Sequence, residues 1–212
     1  MKTIIRVCIL CLILIKQGSG QCDRFEFRNS LMLGVKGGVN YSTGLIQSGM
    51  PVGIQSKAWM CGGVQLSIPY SRYLGLQPEL LLGERGFDAT GILNSQSYSF
   101  TRCENVVDVP LFIAFKPGPF ISILAGPQYT RLFKCDDRFT VSEMAASGEQ
   151  VNLNTNPRLN NFCLAAGFDV NIQYMLLGFR IACDTQKTSY DRASLAPAYR
   201  NAWLQFTFGY RY

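Results

Sequence analysis

The chain has 212 residues, of which 48% are hydrophobic, with a formal net charge of +6 and no histidine. This length fits one domain or a single barrel, and the hydrophobic residues are too dispersed for a bundle of membrane helices. The basic residues are spread rather than clustered, which argues against a nucleic-acid partner. The absence of histidine excludes the common catalytic mechanisms in which an imidazole moves a proton.

Residues 1–20 are predicted to be a secretory signal peptide. Their apolar run, residues 7–15, follows the cations Lys2 and Arg6 and precedes a stretch of small residues that ends at Gly20. A run of this length is too short for a helix that crosses a bilayer, and the order of charge, apolar run and small residues is typical of a cleaved signal. A buried N-terminal helix is the alternative.

Residues 21–212 are predicted to form one mature β-barrel domain. Cleavage after Gly20 removes three cations and no acid, so the net charge falls from +6 to +3. Lipid attachment at Cys22 remains an open alternative, although Gln21 is not the small residue that a lipoprotein signal places before its cysteine.

Apolar and polar residues alternate with period two along most of the mature chain. In the closing segment AWLQFTFGYRY, Leu204 and Phe206 share one face with the later aromatic residues, and Gln205 and Arg211 lie on the other. This period is typical of β-strands, and no segment shows a helical period. The eight predicted strands lie near 31–43, 58–70, 73–87, 97–116, 119–133, 158–171, 173–184 and 201–212.

Short and long connections alternate between these strands. The short turns lie at 69–73, at 116–119 and around Asn171, and the long polar loops at 44–57, 88–96, 134–157 and 185–200. This alternation predicts an all-β, eight-stranded, antiparallel, up-and-down transmembrane barrel with short periplasmic turns and long extracellular loops. Strands of about 12 residues tilted by about 45° would rise about 28 Å, close to the hydrocarbon thickness of a bilayer.

The apolar face is predicted to point outward, toward lipid. The opposite face is rich in glycine and other small residues, which suits the narrow interior of an eight-stranded barrel. Charges of both signs lie on that face and can neutralise one another inside the lumen. These predicted lumen residues are Lys36, Glu79, Arg85, Asp108, Lys116, Asp169, Arg180 and Arg211. The alternative is a secreted, soluble, lipocalin-like barrel whose apolar face lines a cavity for a small apolar ligand.

Aromatic residues near the strand ends support the membrane interpretation, because Trp and Tyr favour the membrane interface. In the last strand Phe208, Tyr210 and Tyr212 lie on the apolar face. They resemble the C-terminal aromatic signal of bacterial outer-membrane barrels, which implies recognition by the barrel-insertion machinery.

The segments GVKGGVN, VVDVPLFIAF, FISILAGPQ and FTFGYRY together resemble the small outer-membrane β-barrel family of Bacteroidetes, whose members include PorT-like proteins. The resemblance covers residues 31–212. It implies the bacterial outer membrane as location, outer-membrane lipid as surroundings, and other envelope proteins of a secretion apparatus as partners. Most members of the family have no established activity, so a structural or binding role is expected.

The sequence predicts no catalytic site, cofactor or metal. Glu104 with Asp108, and Asp136 with Asp137, are the pairs of acids that an enzyme of unfamiliar mechanism would use, but adjacent loop acids are usually solvated charges. The mature cysteines are tens of residues apart, unlike zinc ligands. An eight-stranded barrel also leaves no continuous water channel.

Two disulfides are predicted from the hairpin geometry. Reflection of the strands about their turns brings Cys103 near Cys135 and Cys163 near Cys183, at the bases of the long loops. The alternative is that these residues are free, buried thiols. Recognition of a partner is assigned chiefly to the loop 134–157, because a rigid barrel presents its longest irregular segment outward.

Overall fold

The computed structural model describes residues 29–46, 53–93, 96–141, 151–152, 159–186 and 199–212. The predicted signal peptide and Cys22 lie outside these ranges. None of the described segments is a helix long and apolar enough to cross a membrane. The described strands are β1 (Met32–Ile46), β2 (Gly53–Pro69), β3 (Leu74–Leu93), β4 (Gln96–Phe115), β5 (Ile121–Val141), β6 (Val151–Asn152), β7 (Asn160–Ile172), β8 (Met175–Asp184) and β9 (Tyr199–Arg211).

The long strands form one closed antiparallel sheet. Each pairs with its neighbour in the chain, except that β5 pairs with β7, and β9 returns to pair with β1. Within the described residues, the two-residue β6 pairs only with β5, at Arg138 and Phe139. The predicted eight-stranded, up-and-down barrel is therefore confirmed.

The contact that closes the barrel joins β1 to β9. The ladder runs from Gly34 opposite Arg211 to Ile46 opposite Tyr199. Gly38 lies so close to β9 that an added Cβ would overlap the carbonyl oxygen of Phe206. Glycine is needed here because the two backbones approach more closely than a side chain allows.

Apolar side chains cover the outside of the barrel, as predicted. Leu80 is 48% exposed, Ile113 62% and Phe206 55%. In a lipocalin-like barrel these same residues would point to the axis and be buried. The structure therefore does not favour the soluble alternative.

Aromatic residues surround the end of the barrel that carries the short turns. Tyr70 is 89% exposed, Phe120 66% and Tyr212 45%, and Tyr174 stacks on Tyr210 with ring centroids 5.8 Å apart. Tyr210 and Tyr212 thus point outward as predicted. Such a girdle is where Tyr side chains meet lipid headgroups.

Three of the predicted long loops are shorter than expected, because strands continue into them. β1 reaches Ile46 and β2 begins at Gly53, within the predicted loop 44–57. β3 reaches Leu93 and β4 begins at Gln96, so the predicted loop 88–96 is almost entirely strand. β5 continues to Val141, through the first part of the predicted loop 134–157. β3, β4 and β5 have 20, 20 and 21 residues, whereas β8 has 10, so one side of the wall is much taller.

The sequence pattern does not reveal these strand extensions because the alternation of apolar and polar residues reverses at the edge of the apolar band. Within the band the apolar residues face outward, and beyond it they face inward. In the lower part of β3, Leu80 and Leu82 face outward, whereas higher up Phe87 and Ala89 are buried inside and Asp88 faces outward. An outer surface beyond the bilayer contacts water, so polar residues lie outside there and apolar residues can lie inside. We call this part of β3, β4 and β5, residues 84–93, 96–105 and 133–141, the tall wall.

The predicted disulfides are absent, since Cys61, Cys103, Cys135, Cys163 and Cys183 are free thiols. The prediction assumed a regular hairpin, but the β4–β5 register shifts between Asn105 and Val106. Without this bulge Cys103 would lie opposite Cys135; with it, Cys103 lies opposite Asp136.

The thiols in each predicted pair also point to opposite faces of the sheet. The Cys135 thiol lies 3.5 Å from Asp137 inside the barrel, whereas Cys103 lies between two inward residues and so faces outward. Cys163 is buried inside, and Cys183, directly opposite Leu164, faces outward. Diverging Cβ atoms do not form a disulfide.

We expect the five described cysteines to react with a maleimide in denaturant without prior reduction. Peptide mass mapping with and without reductant should give the same adduct on each cysteine peptide. Loss of adducts at Cys103 and Cys135 together, restored by reductant, would contradict the shifted β4–β5 register.

Candidate functional site

The interior of the barrel is filled by packed side chains. An apolar cluster lies within it and consists of Phe112, Ala114, Leu124, Cys163, Ala165, Ala182 and Trp203. Around this cluster the described residues include six buried cations and six buried carboxylates. These are Lys36, Arg85, Arg102, Lys116, Arg180 and Arg211, with Glu79, Glu104, Asp108, Asp137, Asp169 and Asp184. The structure thus places all eight predicted lumen residues inside the barrel.

A turn-end network joins four of the predicted residues. Arg180 lies 2.6 Å from Asp169 and 3.4 Å from Glu79, and Lys36 forms an ion pair with the same Glu79. The amide of Gln77 donates to Glu79 at 2.9 Å and to Asp169 at 3.1 Å. Two cations and two anions are therefore neutralised together, as burial in a low-dielectric interior requires.

Small residues create the space for this network. Gly178 pairs with Asp169 across β7 and β8, and an added Cβ would lie 2.9 Å from the Asp169 carboxylate. The inward glycines that the alternation identified therefore make room for paired charges rather than leave the lumen empty.

Lys116 and Arg211 lie at the short-turn end of the interior. Lys116 follows the last residue of β4, and its ammonium donates to the Ser67 hydroxyl at 3.4 Å. Arg211 is the last residue of β9 and is 1% exposed. Together with the turn-end network they give this end four cations and two carboxylates among the described residues.

An ion pair between Arg85 and Asp108 lies in the middle of the lumen. The Arg85 guanidinium stacks 3.4 Å from the Trp203 ring, and the Thr130 hydroxyl donates to Asp108 at 2.6 Å. The tryptophan is an inward residue whose ring accepts the guanidinium as a cation–π partner, so this arginine is both neutralised and packed.

The loop end of the interior holds a second group of polar residues that the sequence did not identify as a site. Arg102 forms a two-pronged ion pair with Asp137, in which its Nε donates at 2.6 Å. The Tyr199 hydroxyl donates to Glu104 at 2.7 Å, and the side-chain amide of Asn201 donates to the same carboxylate at 3.1 Å. Bidentate geometry of this kind orients both partners.

Asp184 completes this group at the end of β8. It accepts from the Cys163 thiol at 2.9 Å and from the backbone N–H of Asn201 at 3.3 Å. Neither donor carries a charge, in contrast to the partners of Asp169 or Asp108. We call Arg102, Glu104, Asp137, Asp184 and Asn201 the loop-end cluster.

The buried charges are therefore unevenly distributed along the barrel. The turn end has four cations and two carboxylates, whereas the loop-end cluster has one cation and three carboxylates. The central Arg85–Asp108 pair is neutral, so the two ends carry net charges of about +2 and −2 among the described residues if all groups are ionised. The sequence pattern does not reveal this uneven distribution of charge. Arg102 and Glu104 come before the apolar residues of β4, at positions near a loop, where charged residues are common.

Of the acids that the sequence pairs as possible catalytic groups, Asp136 and Asp137 point to opposite faces of the sheet. Asp136 points outward and bonds Lys134 at 2.6 Å, whereas Asp137 points inward to Arg102. Within the described part of the chain no group of three or more acidic or cysteine side chains forms a metal cluster.

We expect replacement of Arg180 by methionine to destabilise the barrel by about 3–5 kcal/mol, because Asp169 would remain buried without its cation. The double variant with Asp169→Asn should recover a large part of this loss. Urea unfolding in lipid vesicles, followed by tryptophan fluorescence, measures the free energy of unfolding. The matched control is Arg131→Met on the exposed outer face, which should change it by about 0.5 kcal/mol or less; equal effects of the two methionines would contradict the role of the network.

Known outer-membrane barrels resemble this chain in sequence pattern and in fold. A model of the family described as outer membrane protein beta-barrel domain matches residues 19–186. OprG of Pseudomonas aeruginosa is similar in structure, with a TM-score of 0.52, 14% identity, and coverage of 87% of this chain and 97% of that chain. Ail of Yersinia pestis gives a TM-score of 0.47 at 12% identity, covering 86% of this chain and 99% of that chain. No curated protein sequence matches.

At such low identity the likeness to OprG concerns the fold alone. The family match spans most of the chain and ends before β9, the strand that closes the barrel onto β1. With its closed sheet, apolar exterior and filled, charged interior, the chain belongs to the outer membrane protein beta-barrel domain family and is located in the outer membrane.

Proposed function

We propose that this outer-membrane barrel acts as a binding or assembly component of the cell envelope, and that its partners are other envelope proteins. Its resemblance to PorT-like proteins of Bacteroidetes supports a finer proposal, a role in a secretion apparatus. The single observation that carries the binding role is the tall wall, a surface that rises beyond the apolar band above a filled interior.

The filled interior supports binding rather than transport. Arg85, Phe112 and Leu124 are each 1% exposed or less, and they occupy the middle of the barrel from three different strands. A solute that crossed the membrane here would have to displace side chains that are paired or packed.

Above the exposed Phe133, the outer face of the tall wall is polar and charged. On β5 the side chains of Lys134 and Asp136 are 66% and 45% exposed, and Arg138 is exposed beyond them. Farther along the wall, Asp88 of β3 pairs with Lys57 of β2 at 2.7 Å. Rigid strands present these charges in a constant arrangement, which favours specific recognition of a protein surface.

Within 134–157 the residues proposed for recognition are those at the surface. Lys134 and Arg138 are exposed, whereas Asp137 is 4% exposed and bound to Arg102 in the lumen. Glu149 lies outside the described residues. The proposed binding surface is therefore the outer face of β5 rather than the whole loop.

We also propose that the barrel has no enzymatic activity. The interior carboxylates of the turn-end network accept hydrogen bonds from Arg180 and Gln77, and a paired carboxylate is a poor general base. The outward aromatic residues Phe208, Tyr210 and Tyr212 support the proposal that the insertion machinery recognises β9, and outer-membrane lipid surrounds the apolar band.

Charge reversal of Lys134 and Arg138 should impair partner binding and, where the finer proposal holds, secretion by a deletion strain that expresses the variant. The reason is that two exposed cations of the tall wall become acids while the interior is unchanged. Secreted protein in the medium and crosslinking of the barrel to envelope proteins are the measurements. Arg200→Glu, an exposed charge on the short side of the barrel, is the matched control.

Unaltered crosslinking and secretion by the double variant, at normal surface amounts, would contradict the proposed surface. Altered crosslinking with normal secretion would retain the binding role and remove the secretion role.

In planar bilayers the purified barrel should show no steady ion conductance, and a stable open channel would overturn the sealed lumen.

A further inference from the structure

We propose that the loop end of the lumen binds one divalent cation, held by the carboxylates of Glu104 and Asp184 and by the side-chain oxygen of Asn161. The cation would be of the oxygen-binding kind represented by Ca²⁺. This site is independent of the proposed envelope partners.

A small cavity lies at this place. Its volume is about 10 Å³, and Glu104, Asp184, Asn161, Asn201 and Thr130 are among the residues that line it. A volume of this order holds about one water-sized sphere. A Ca²⁺ ion, which binds oxygens at about 2.3–2.6 Å, occupies no more room than a water molecule.

An unsatisfied oxygen points to a ligand. Asn161 is 7% exposed, and its Oδ1 is buried with no hydrogen-bond partner. The amide nitrogen of the same side chain donates to Asp184 Oδ2 at 3.5 Å. A buried acceptor without a donor costs free energy unless a cation or a water molecule contacts it.

The two carboxylates are held close together by one residue. Asn201 donates its backbone N–H to Asp184 at 3.3 Å and its side-chain amide to Glu104 at 3.1 Å. The Cys163 thiol, which donates to Asp184 at 2.9 Å, and the Tyr199 hydroxyl, which donates to Glu104 at 2.7 Å, are neutral. Uncharged donors leave most of the negative charge in place.

The charge of the surroundings favours a cation over water. Arg85 also lines the cavity, but its charge is matched by Asp108. Arg102 makes its two-pronged pair with Asp137 and a longer ion pair with Glu104 at 3.9 Å. One cation against the three carboxylates of the loop-end cluster leaves an excess of two negative charges among the described residues, and one divalent ion balances them. Calcium accepts carboxylate, amide and hydroxyl oxygens in irregular geometry, whereas magnesium demands a stricter octahedron.

The test uses the full mature chain, refolded in detergent and freed of metal with EDTA. With millimolar Ca²⁺ the urea midpoint of the wild type should rise, and Tb³⁺ should bind with luminescence excited through tyrosine. Asp184→Asn and Glu104→Gln should each abolish the rise, and Asn161→Leu should weaken Tb³⁺ binding at least about tenfold, because each removes one oxygen or its charge.

The sign of the effect without calcium separates this site from a structural role. In EDTA, Asp184→Asn should unfold at the same or a higher urea concentration than the wild type, since it removes uncompensated negative charge and keeps a hydrogen-bond acceptor. If Asp184 served only to bond Cys163 and Asn201, the variant would be weaker in both buffers, and the proposal would fail.

The matched control is Asp88→Asn, an acid at the same end but on the outer face, paired with Lys57. It should retain the full response to Ca²⁺. Three results would each overturn the divalent site: loss of the response in this control, an equal response to sodium at the same ionic strength, or no response in the wild type. No response in the wild type would indicate a proton or a water molecule between the carboxyls. Heat-modifiable migration verifies that every variant is folded.

Discussion

The ladder between β1 and β9 is the contact on which the rest of this structure depends. Without it the sheet would have two open edges inside lipid, where unpaired N–H and C=O groups find no water. Its register also sets which inward residues of the two strands are neighbours, since Lys36 lies opposite Gly209 and Asn40 opposite Gln205. Gly38 makes the required approach of the two backbones possible. The register of the β1–β9 ladder therefore fixes the closure of the barrel, the pairing of interior side chains and the position of the glycine together.

A second constraint is that the barrel wall extends from the lipid bilayer into water. Within the bilayer the outer face is apolar and the inner face carries charges; beyond it Phe87, Phe100 and Tyr199 form an interior cluster and the outer face becomes polar. One continuous strand such as β3 therefore contains both patterns of alternation. The bulge near Val106 lies close to this change of pattern, and it reverses which side chains in the upper part of β5 face outward and which face inward. The surface offered to partners is built from the portion above the bulge.

The interior serves stability in its lower part and leaves an unbalanced charge in its upper part. Near the turns, Lys36 and Arg180 share Glu79 and Asp169, so that each ion has an opposite neighbour. Near the loops, Asp184 is satisfied by neutral donors. Buried ions are tolerated only when paired or coordinated, which makes the loop end the part of the lumen most suited to an exchangeable ligand.

The period-two pattern by itself determined the fold class, the apolar-out orientation and the eight inward ions, because lipid on one side and a narrow lumen on the other impose strict alternation on every strand. The pattern did not determine where the strands end. Outside the bilayer the outer face of a strand contacts water and is polar, so its residues are interpreted as part of a loop. Pairing was decided only by tertiary structure. Whether Cys103 meets Cys135 depends on a one-residue bulge, and whether Asp137 meets Arg102 or water depends on the face on which that bulge leaves it. Register shifts of one residue invert every side chain beyond them, and no local sequence signal marks them.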